Sequence, residues 1–225
     1  MTETSETSEP SESSESSESS EGLLYVLSEP GAVGDAEFHD WYDNEHAPAR
    51  VGVPGIRAGH RYRALDGTRP SWLAWYELEL AALRSPEYDV VRRRSPRERS
   101  VVSRLATLDR RVYALTDEWG GAAGPAPVVV AVALSGDADA LDEWYRAEHA
   151  PLLLRVPGWR RIRRYRRVEG AGPDLLAFHE ITGTEAFDHP GYRHATSTPW
   201  RERVMATVTA RERRVFGYHN TAGGR

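Results

Sequence analysis

Apolar residues occur along the chain in short runs, separated by stretches in which apolar positions follow a helical spacing. The short runs are rich in β-branched residues, which is typical of strands. An extended segment through Tyr62, and again through Tyr165, adds one more strand after each first helix. The other predicted strands are Leu23–Leu27, Trp72–Leu78, Arg110–Leu115, Val128–Leu134, Leu175–Ile181 and Arg213–Tyr218.

The stretches between the strands predict helices. Asp35 is a suitable N-cap, and Phe38 and Trp41 follow it at helical spacing. Because proline lacks an N–H and restricts the residue before it, we expect Pro48 to end this helix and Pro151 to end the corresponding later one. Second helical regions are predicted at Ser85–Arg104 and Pro190–Val208.

The order of elements repeats because the sequence itself repeats. The segment Trp41–Pro48 (WYDNEHAP) returns as Trp144–Pro151 (WYRAEHAP), 103 residues later. The same offset carries Val53–Gly55 onto Val156–Gly158. The same offset holds as far as the last predicted strands, which indicates that one unit was duplicated and fused. Because the repeat is so long, each unit is predicted to be a small domain.

Each unit reads β-α-β-β-α-β, which predicts a ferredoxin-like arrangement of four antiparallel strands with helices on one face. The predicted fold class is α+β, with two tandem ferredoxin-like domains at 22–116 and 128–219. Residues 117–127 are the predicted linker, and 1–21 and 220–225 are predicted tails. The open faces of the two sheets should pack against each other as an intramolecular dimeric α+β barrel, with a pocket between or beneath the sheets.

The N-terminal segment 2–21 contains only Thr, Ser, Glu and one Pro, so it lacks the apolar surface needed to fold and is predicted to be disordered. The negative charge of this segment also changes the sign of the net charge of the whole chain relative to the remainder. The net charge is −5, and removing the seven glutamates of this segment leaves +2. That value gives no argument for a nucleic-acid partner.

Residue types that are missing exclude several kinds of chemistry. The chain has no cysteine, which excludes thiolate catalysis, disulfides, cysteine-ligated zinc and iron–sulfur clusters. All 29 basic residues are arginine, which excludes Schiff-base catalysis and a P-loop, since both need lysine. No apolar run is long enough to cross a membrane, and the acidic N-terminus is unlike a signal peptide. We therefore expect a cytoplasmic protein with no membrane partner.

The repeated motif resembles a known family. The first copy reads Phe38-x-x-Trp41-Tyr42-x-x-Glu45-His46-x-Pro48, followed by Val53-Pro54-Gly55 and Arg61-Tyr62. This pattern is similar to the EthD-like branch of the dimeric α+β barrel superfamily, and the second copy repeats it from Leu141, so that the resemblance covers nearly all of residues 22–219. It implies small-molecule chemistry, because relatives include methylmuconolactone isomerases, polyketide-associated decarboxylases and cofactor-free oxygenases. The superfamily also contains haem-binding barrels.

His46 and His149 are the first pair of candidate catalytic residues, since an imidazole at a helix C-terminus can act as a general acid or base near neutral pH. The structural alternative is that each histidine caps its helix. Glu45 and Glu148 directly precede the histidines and point about 100° away from them on a helix. We expect these carboxylates to pair with arginines of the following strand.

Tyr62 and Tyr165 are the second pair of candidate catalytic residues. On an alternating strand Tyr62 shares a face with His60, while Arg61 lies on the other face. Both faces are polar, which leaves two interpretations: the strand lies at a sheet edge, or its side chains line a pocket. In a pocket, Arg61, Arg164 and His60 would bind a carboxylate or an oxyanion of the substrate.

Glu77 and Glu180 lie in the third predicted strands beside aromatic residues, where an unpaired carboxylate is costly to bury. Each is either paired with a strand arginine or held at a raised pKa for acid–base work, which makes both candidate substrate-binding residues. His179 is a further candidate, because it stands where the first copy has Tyr76. This difference indicates that the copies have diverged, with one functional pocket and one degenerate pocket.

These observations predict a cofactor-independent enzyme that acts on a small acidic or phenolic molecule by acid–base catalysis. The resemblance implies an isomerase, decarboxylase or cyclase of specialised metabolism or catabolism. One alternative is a non-catalytic ligand-binding or scaffolding barrel, and another is a haem-binding or cofactor-free oxygenase barrel. No metal site is predicted, since His189 and His194 are separated by proline and glycine at an unsuitable spacing. A homodimer of the fused pair is a further expectation.

Overall fold

The computed structural model describes residues 21–121 and 123–223. Eight strands make up the sheet: β1 (Glu21–Glu29), β2 (Ile56–Ala64), β3 (Trp72–Glu79), β4 (Thr107–Gly120), β5 (Val128–Ser135), β6 (Trp159–Glu169), β7 (Leu175–Ile181) and β8 (Ala210–Gly223). The helices are short: α1 (Asp35–Trp41), α2 (Ala47–Val51), α3 (Pro86–Arg92), α4 (Pro96–Val102), α5 (Ala138–Trp144), α6 (Ala150–Leu153), α7 (Pro190–Ala195) and α8 (Pro199–Met205). Two 3₁₀ turns, Leu80–Arg84 and Thr184–Asp188, follow β3 and β7.

The eight strands form one closed antiparallel barrel. Neighbouring strands follow the order β4-β1-β3-β2 in the first half and β8-β5-β7-β6 in the second half. The sequence predicts two sheets stacked face to face, but β2 pairs with β8 and β4 pairs with β6, so the sheets join at both edges. The protein is thus an α+β barrel, and the interpretation of the Tyr62 strand as a sheet edge is wrong.

Barrel closure also changes the predicted boundaries. Strand β4 continues through Gly120, so that residues 117–120 of the predicted linker pair with β6. Strand β8 continues through Gly223, so that residues 220–223 of the predicted C-terminal tail pair with β2. Strands β4 and β8 are longer than the predicted apolar runs because each extends to pair with a strand of the other half. Residues 1–20 of the predicted N-terminal tail lie outside the described residues, and Glu21 begins β1.

Side chains alternate between two separate interiors along each strand. The inward-facing residues fill the barrel with a mainly aromatic core, whose largest members are Tyr25, Tyr62, Trp75, Tyr113, Tyr165, Phe178 and Phe216. The outward-facing residues pack against the helices, in one cluster around Trp41 and Tyr42 and a second around Trp144 and Tyr145. Any site between helices and sheet is therefore separated from the barrel interior by the thickness of the sheet.

A wide turn of π-helix follows the first helix of each half, at Tyr42–His46 and Tyr145–His149. The N–H of the residue after each turn donates to the carbonyl five residues back, Tyr42 or Tyr145. The prediction that proline ends these helices is wrong, because Pro48 and Pro151 occupy the first turn of α2 and α6, where an N–H is not required.

The start of α1 also differs from the prediction. Gly34 is the N-cap and Asp35 is the first helical residue, whereas in the second half Asp137 caps α5 by accepting from the Ala140 N–H. Among the described residues, no helix is long and apolar enough to span a membrane.

Candidate active site in the second half

A pocket lies between the helices and the outer face of the sheet in the second half. Its cavity volume is about 110 Å³, and it is partly open to solvent. Apolar walls come from β5, α6 and aromatic side chains, and polar groups converge from the π turn, β7, α8 and β8. The polar lining residues are Tyr145, His149, His179, Tyr192, Thr196, Arg201, Arg211 and Arg213.

His149 reaches this pocket from the end of the π turn. Its Nδ1 lies 3.2 Å from the carbonyl oxygen of Ala195, and because a carbonyl only accepts, Nδ1 carries the proton. Its Nε2 makes no hydrogen bond to any described residue. The ring stacks on Trp144 with centroids 4.1 Å apart, and burial lowers the pKa of His149 to about 3. The imidazole is therefore neutral, with an open lone pair.

In the same pocket, Trp159, His179 and Tyr145 are linked by hydrogen bonds that set the direction of the Tyr145 hydroxyl proton. Trp159 Nε1, which can only donate, lies 3.4 Å from Nδ1 of His179. Burial lowers the pKa of His179 well below its usual value, so that the neutral ring carries its proton on Nε2. That N–H faces the Tyr145 hydroxyl oxygen at 3.4 Å. Burial raises the pKa of Tyr145 to about 12, so its own proton remains available to a ligand.

Three arginines at the pocket give it a positive potential. Arg201 lies on α8, and Arg211 and Arg213 lie on the outer face of β8. None of the three forms an ion pair with a carboxylate among the residues that the structure describes. Unpaired guanidinium groups beside apolar walls suit a ligand with an apolar body and a carboxylate or oxyanion.

The corresponding space in the first half is filled by a buried ion-pair network. Glu98 on α4 accepts from Nη2 of Arg50 at 2.8 Å and lies 3.0 Å from Nδ1 of His46. Burial lowers the pKa of His46 to about 4, assisted by the charge of Arg50. Burial alone would raise the pKa of Glu98, but the hydrogen bond from His46 and the charge of Arg50 lower it overall.

The repeat offset of 103 residues shows how the two halves diverged. Glu98 becomes Arg201, and Arg50 becomes Leu153. Tyr76, which is 1 % exposed and donates to the Tyr42 hydroxyl, becomes His179. The second half thus loses a carboxylate and two bulky side chains at the positions around its histidine, which leaves room and positive charge there.

The candidate residues on β2 and β6 lie away from this pocket. Tyr62 is fully buried inside the barrel, where its hydroxyl donates to the Ala126 carbonyl at 2.9 Å, and Tyr165 also faces the barrel interior. Burial raises the pKa of both tyrosines. His60 Nδ1 lies 2.9 Å from the Thr221 hydroxyl, also inside the barrel. Strand alternation therefore separates these three residues from His149.

Arg61 and Arg164 face the helices and have structural partners. Each guanidinium packs over the tyrosine that begins the π turn, Arg61 at 4.3 Å from the Tyr42 ring and Arg164 at 4.0 Å from the Tyr145 ring. Arg61 forms an ion pair with Asp43, and Arg164 forms one with Asp142 at 2.6 Å. Each arginine packs on the face of its tyrosine ring and fixes the position of that ring.

Glu77 and Glu180 belong to an ion-pair network at the barrel interior. Arg163 donates to Glu77 at 2.8 Å and to Glu180 at 2.7 Å, and Arg161 donates to Glu180 at 2.9 and 3.0 Å. Burial acts to raise the pKa of Glu77, but the charge and hydrogen bond of Arg163 lower it overall. For Glu77 the alternative of a raised pKa is therefore wrong, and both carboxylates have arginine partners.

Glu45 and Glu148 do not pair with strand arginines as predicted. Each accepts a hydrogen bond from the N-cap hydroxyl of the last helix in its half: Ser95 for Glu45, and Thr198 for Glu148 at 2.6 Å. This contact fixes the π turn against that helix. In the second half it places His149 beside the helix that carries Arg201.

Of the predicted site residues, His149 and His179 meet in one pocket. In the sequence Tyr145 is recognisable only as part of the repeated motif, and Arg201 belongs to no predicted site. The charge reversal between Glu98 and Arg201 was present in the aligned repeat and could have identified the altered half. The pair His189 and His194 does not converge, since Nδ1 of His189 instead caps α7 by accepting from the Gly191 N–H.

Comparisons with known proteins support the fold. An anthrone oxidase-like protein aligns with a TM-score of 0.62 at 11 % identity, covering 90 % of this chain and 92 % of its own. A protein from Lactobacillus acidophilus NCFM whose name suggests a monooxygenase aligns at 0.56 and 14 % identity, covering 90 % and 96 %. A mutant chlorite dismutase from Candidatus Nitrospira defluvii aligns at 0.59 and 10 % identity, covering 90 % and 93 %. This chain shares the dimeric α+β barrel fold of these proteins.

No family model and no curated protein sequence matches the chain. The resemblance to the EthD-like branch therefore stays a prediction. At these identities the solved structures establish architecture, and the function rests on the chemistry of the pocket.

Proposed function

We propose that this chain is a cofactor-independent enzyme that moves a proton on a small aromatic molecule with an acidic or phenolic group. The observation that carries the proposal is the open Nε2 of a neutral His149 beside the available hydroxyl proton of Tyr145 in one pocket. A base and a hydrogen-bond donor facing one space are the two groups that proton transfer at carbon requires.

In the proposed reaction, Nε2 of His149 takes a proton from an activated C–H or O–H group of the ligand. The Tyr145 hydroxyl donates a hydrogen bond to the enolate or phenolate oxygen that forms, and His179 holds that hydroxyl through its Nε2–H. The proton returns to a different carbon in an isomerisation or cyclisation, or to the carbon that lost carbon dioxide in a decarboxylation. All electrons stay in the substrate, so no oxidant is needed.

The arginines select the charge of the ligand. In the first half a carboxylate, Glu98, lies between His46 and Arg50, whereas in the second half Arg201 replaces that carboxylate. A carboxylate or phenolate of the ligand would supply the negative charge that is missing there. Its approach would also raise the pKa of His149 from about 3, because a nearby anion favours the imidazolium that proton abstraction creates.

Solvent proton exchange tests the proposal. The probe is 1,8-dihydroxyanthrone, a phenolic molecule with an acidic C–H, and loss of that proton signal in D₂O is followed by NMR. We expect the protein to accelerate exchange and His149→Gln to slow it by about 10²–10⁴-fold. The matched control is His46→Gln, which removes the equivalent histidine of the other half and should leave exchange unchanged.

Two results would contradict the proposal. One is exchange no faster with the protein than without it, and the other is equal rates for wild type and His149→Gln. Binding of the probe without exchange would favour the non-catalytic ligand-binding barrel.

Haem binding is a second candidate, favoured by the state of His149. A neutral imidazole whose Nδ1–H is held by a backbone carbonyl and whose Nε2 is open is suited to axial ligation. Arg201, Arg211 and Arg213 supply partners for the haem carboxylates, but the cavity of about 110 Å³ is smaller than a haem, so binding requires the pocket to open. Haem would supply one-electron or peroxide chemistry, with His149 as its ligand.

A haem titration distinguishes the candidates. A Soret band that appears in the wild type and His46→Gln but not in His149→Gln would favour the haem-binding barrel. Absorbance of free haem in all three proteins would exclude it.

We also propose that the chain arose by tandem duplication of a ferredoxin-like domain. This proposal is supported by the matching strand orders of the two halves and by the 103-residue sequence offset.

A further inference from the structure

A cluster of potential metal ligands lies beside α1 and includes no residue of the His149 pocket. His39, Asp43 and His219 each present one ligand atom, and these three atoms all lie within 4.8 Å of one another. The two imidazole centroids are 5.2 Å apart, and they lie 4.8 and 4.9 Å from the centroid of the Trp72 ring in T-shaped arrangements. Two imidazoles and one carboxylate form a donor set suited to zinc, copper, nickel or iron.

Barrel closure brings these residues together. His39 and Asp43 lie on α1 and the following π turn of the first half, whereas His219 lies near the end of β8 in the second half. The cluster is not duplicated, because the repeat offset places Asp142 at the position of His39 and Arg146 at the position of Asp43. The helix–sheet packing common to both halves therefore does not explain it.

The three potential ligands can be reached from solvent. His39 and Asp43 are partly exposed and His219 is exposed, which leaves an open path from solvent.

Arg61 is the feature that limits the affinity. Its guanidinium forms an ion pair with Asp43 and donates to Nδ1 of His39 at 3.2 Å. A metal ion on that nitrogen would replace the second contact, while Arg61 stays anchored over the Tyr42 ring. The nearby positive charges of Arg61 and Arg63 oppose a cation, so the site favours metals that bind imidazole strongly over calcium or magnesium.

We propose that His39, Asp43 and His219 form a binding site for one divalent transition-metal ion, with zinc as the reference ion. The bound ion would connect the last strand of the second half to the first helix of the first half, across the β2–β8 seam. It would then stabilise the closed barrel, since a ligand that binds only the folded state raises the free energy of unfolding.

Calorimetric titration of the untagged full-length chain with ZnCl₂ tests this site. We expect saturable binding of one ion per chain, at least tenfold weaker in His219→Gln and in His39→Gln. His194→Gln is the matched control, because this exposed histidine lies on α7 outside the cluster. Thermal unfolding with and without ZnCl₂ provides a second measurement, in which zinc should raise the melting temperature of wild type and His194→Gln more than that of His219→Gln.

Three outcomes would overturn the proposal. The first is the lack of saturable binding in the wild type. The second is binding of equal strength in His219→Gln and His194→Gln, which would indicate other surface carboxylates. The third is a melting temperature that zinc changes equally in all variants.

Discussion

Glu98 and Arg201 occupy equivalent positions on the last helix of the two halves, and they carry opposite charges beside the same repeated histidine. Glu98 binds His46 and Arg50 in a buried network, whereas Arg201 lines a pocket with His149 and has no carboxylate partner among the described residues. One half therefore satisfies its histidine internally, and the other half leaves charge and space for an external anion.

The first prediction concerns Arg201. Replacing it in Arg201→Gln should weaken binding of 1-hydroxy-2-naphthoate about tenfold or more, since a hydrogen bond to a charged group contributes about 1.5–3 kcal/mol. Binding is measured by fluorescence titration. Arg203→Gln is the matched control, because Arg203 lies on the same helix outside the pocket and donates to the Pro199 carbonyl. Equal affinities of the two variants would contradict a role for Arg201.

The second prediction is a loss of stability in mild acid. The pKa values of His46 and His149 are lowered by burial to about 4 and about 3, against about 6.5 in the unfolded chain. As the pH falls below 6.5, the unfolded chain takes up protons that the folded chain does not, so the free energy of unfolding decreases. At pH 5 each histidine should account for about 1–2 kcal/mol of this decrease.

Urea unfolding of wild type and His149→Gln at pH 7 and pH 5 provides the test. The difference between the two pH values should be smaller in the variant. An identical decrease in both proteins would show that His149 is protonated in the fold at pH 5.

The third prediction is that the tyrosines inside the barrel take no part in the reaction. Tyr62→Phe should leave solvent exchange and ligand affinity unchanged, because the hydroxyl faces the Ala126 carbonyl inside the barrel. It should lower the free energy of unfolding by about 1 kcal/mol, the usual contribution of one buried hydrogen bond. Tyr145→Phe is the comparison and should reduce exchange. A large loss of exchange in Tyr62→Phe would place the reaction inside the barrel instead.

The fourth prediction concerns the ion-pair network of Arg163. The variant Arg163→Met leaves Glu77 without its closest arginine and Glu180, which is fully buried, with Arg161 alone. Breaking such a buried pair should lower the free energy of unfolding by about 3 kcal/mol. Chemical denaturation measures this change. Arg166→Met, in the same strand but half exposed, should change stability by less than 1 kcal/mol.

The sequence predicted the arrangement of strands and helices because apolar periodicity and the internal repeat both depend on local residue patterns. It missed the extra length of β4 and β8, since those ends are polar and become strands only by pairing with β6 and β2 in the other half. It also placed helix ends at Pro48 and Pro151, where a π turn instead lets the helical path continue.

The candidate site was predicted in part. His149 and His179 were named from the repeat, but strand alternation alone could not tell which face of β2 and β6 meets a pocket. Tyr62 and Tyr165 face the barrel, where Tyr165 lines a second, polar cavity, whereas the His149 pocket lies on the other side of the sheet. The orientation of these strands depends on which face the helices cover and which face the second sheet covers. The sequence does not reveal this, because both faces of β2 and β6 carry polar residues.

The central claim, that the second half holds the functional pocket, is tested most directly by exchanging the residues that fill one half and open the other. In His179→Tyr the second half receives the tyrosine that Tyr76 supplies in the first half, and Tyr76→His is the reciprocal control. Affinity for 1-hydroxy-2-naphthoate is measured for both by fluorescence titration, with circular dichroism as a check on folding. The account predicts that His179→Tyr loses binding at least tenfold while Tyr76→His retains it. Full binding by a folded His179→Tyr would contradict the account.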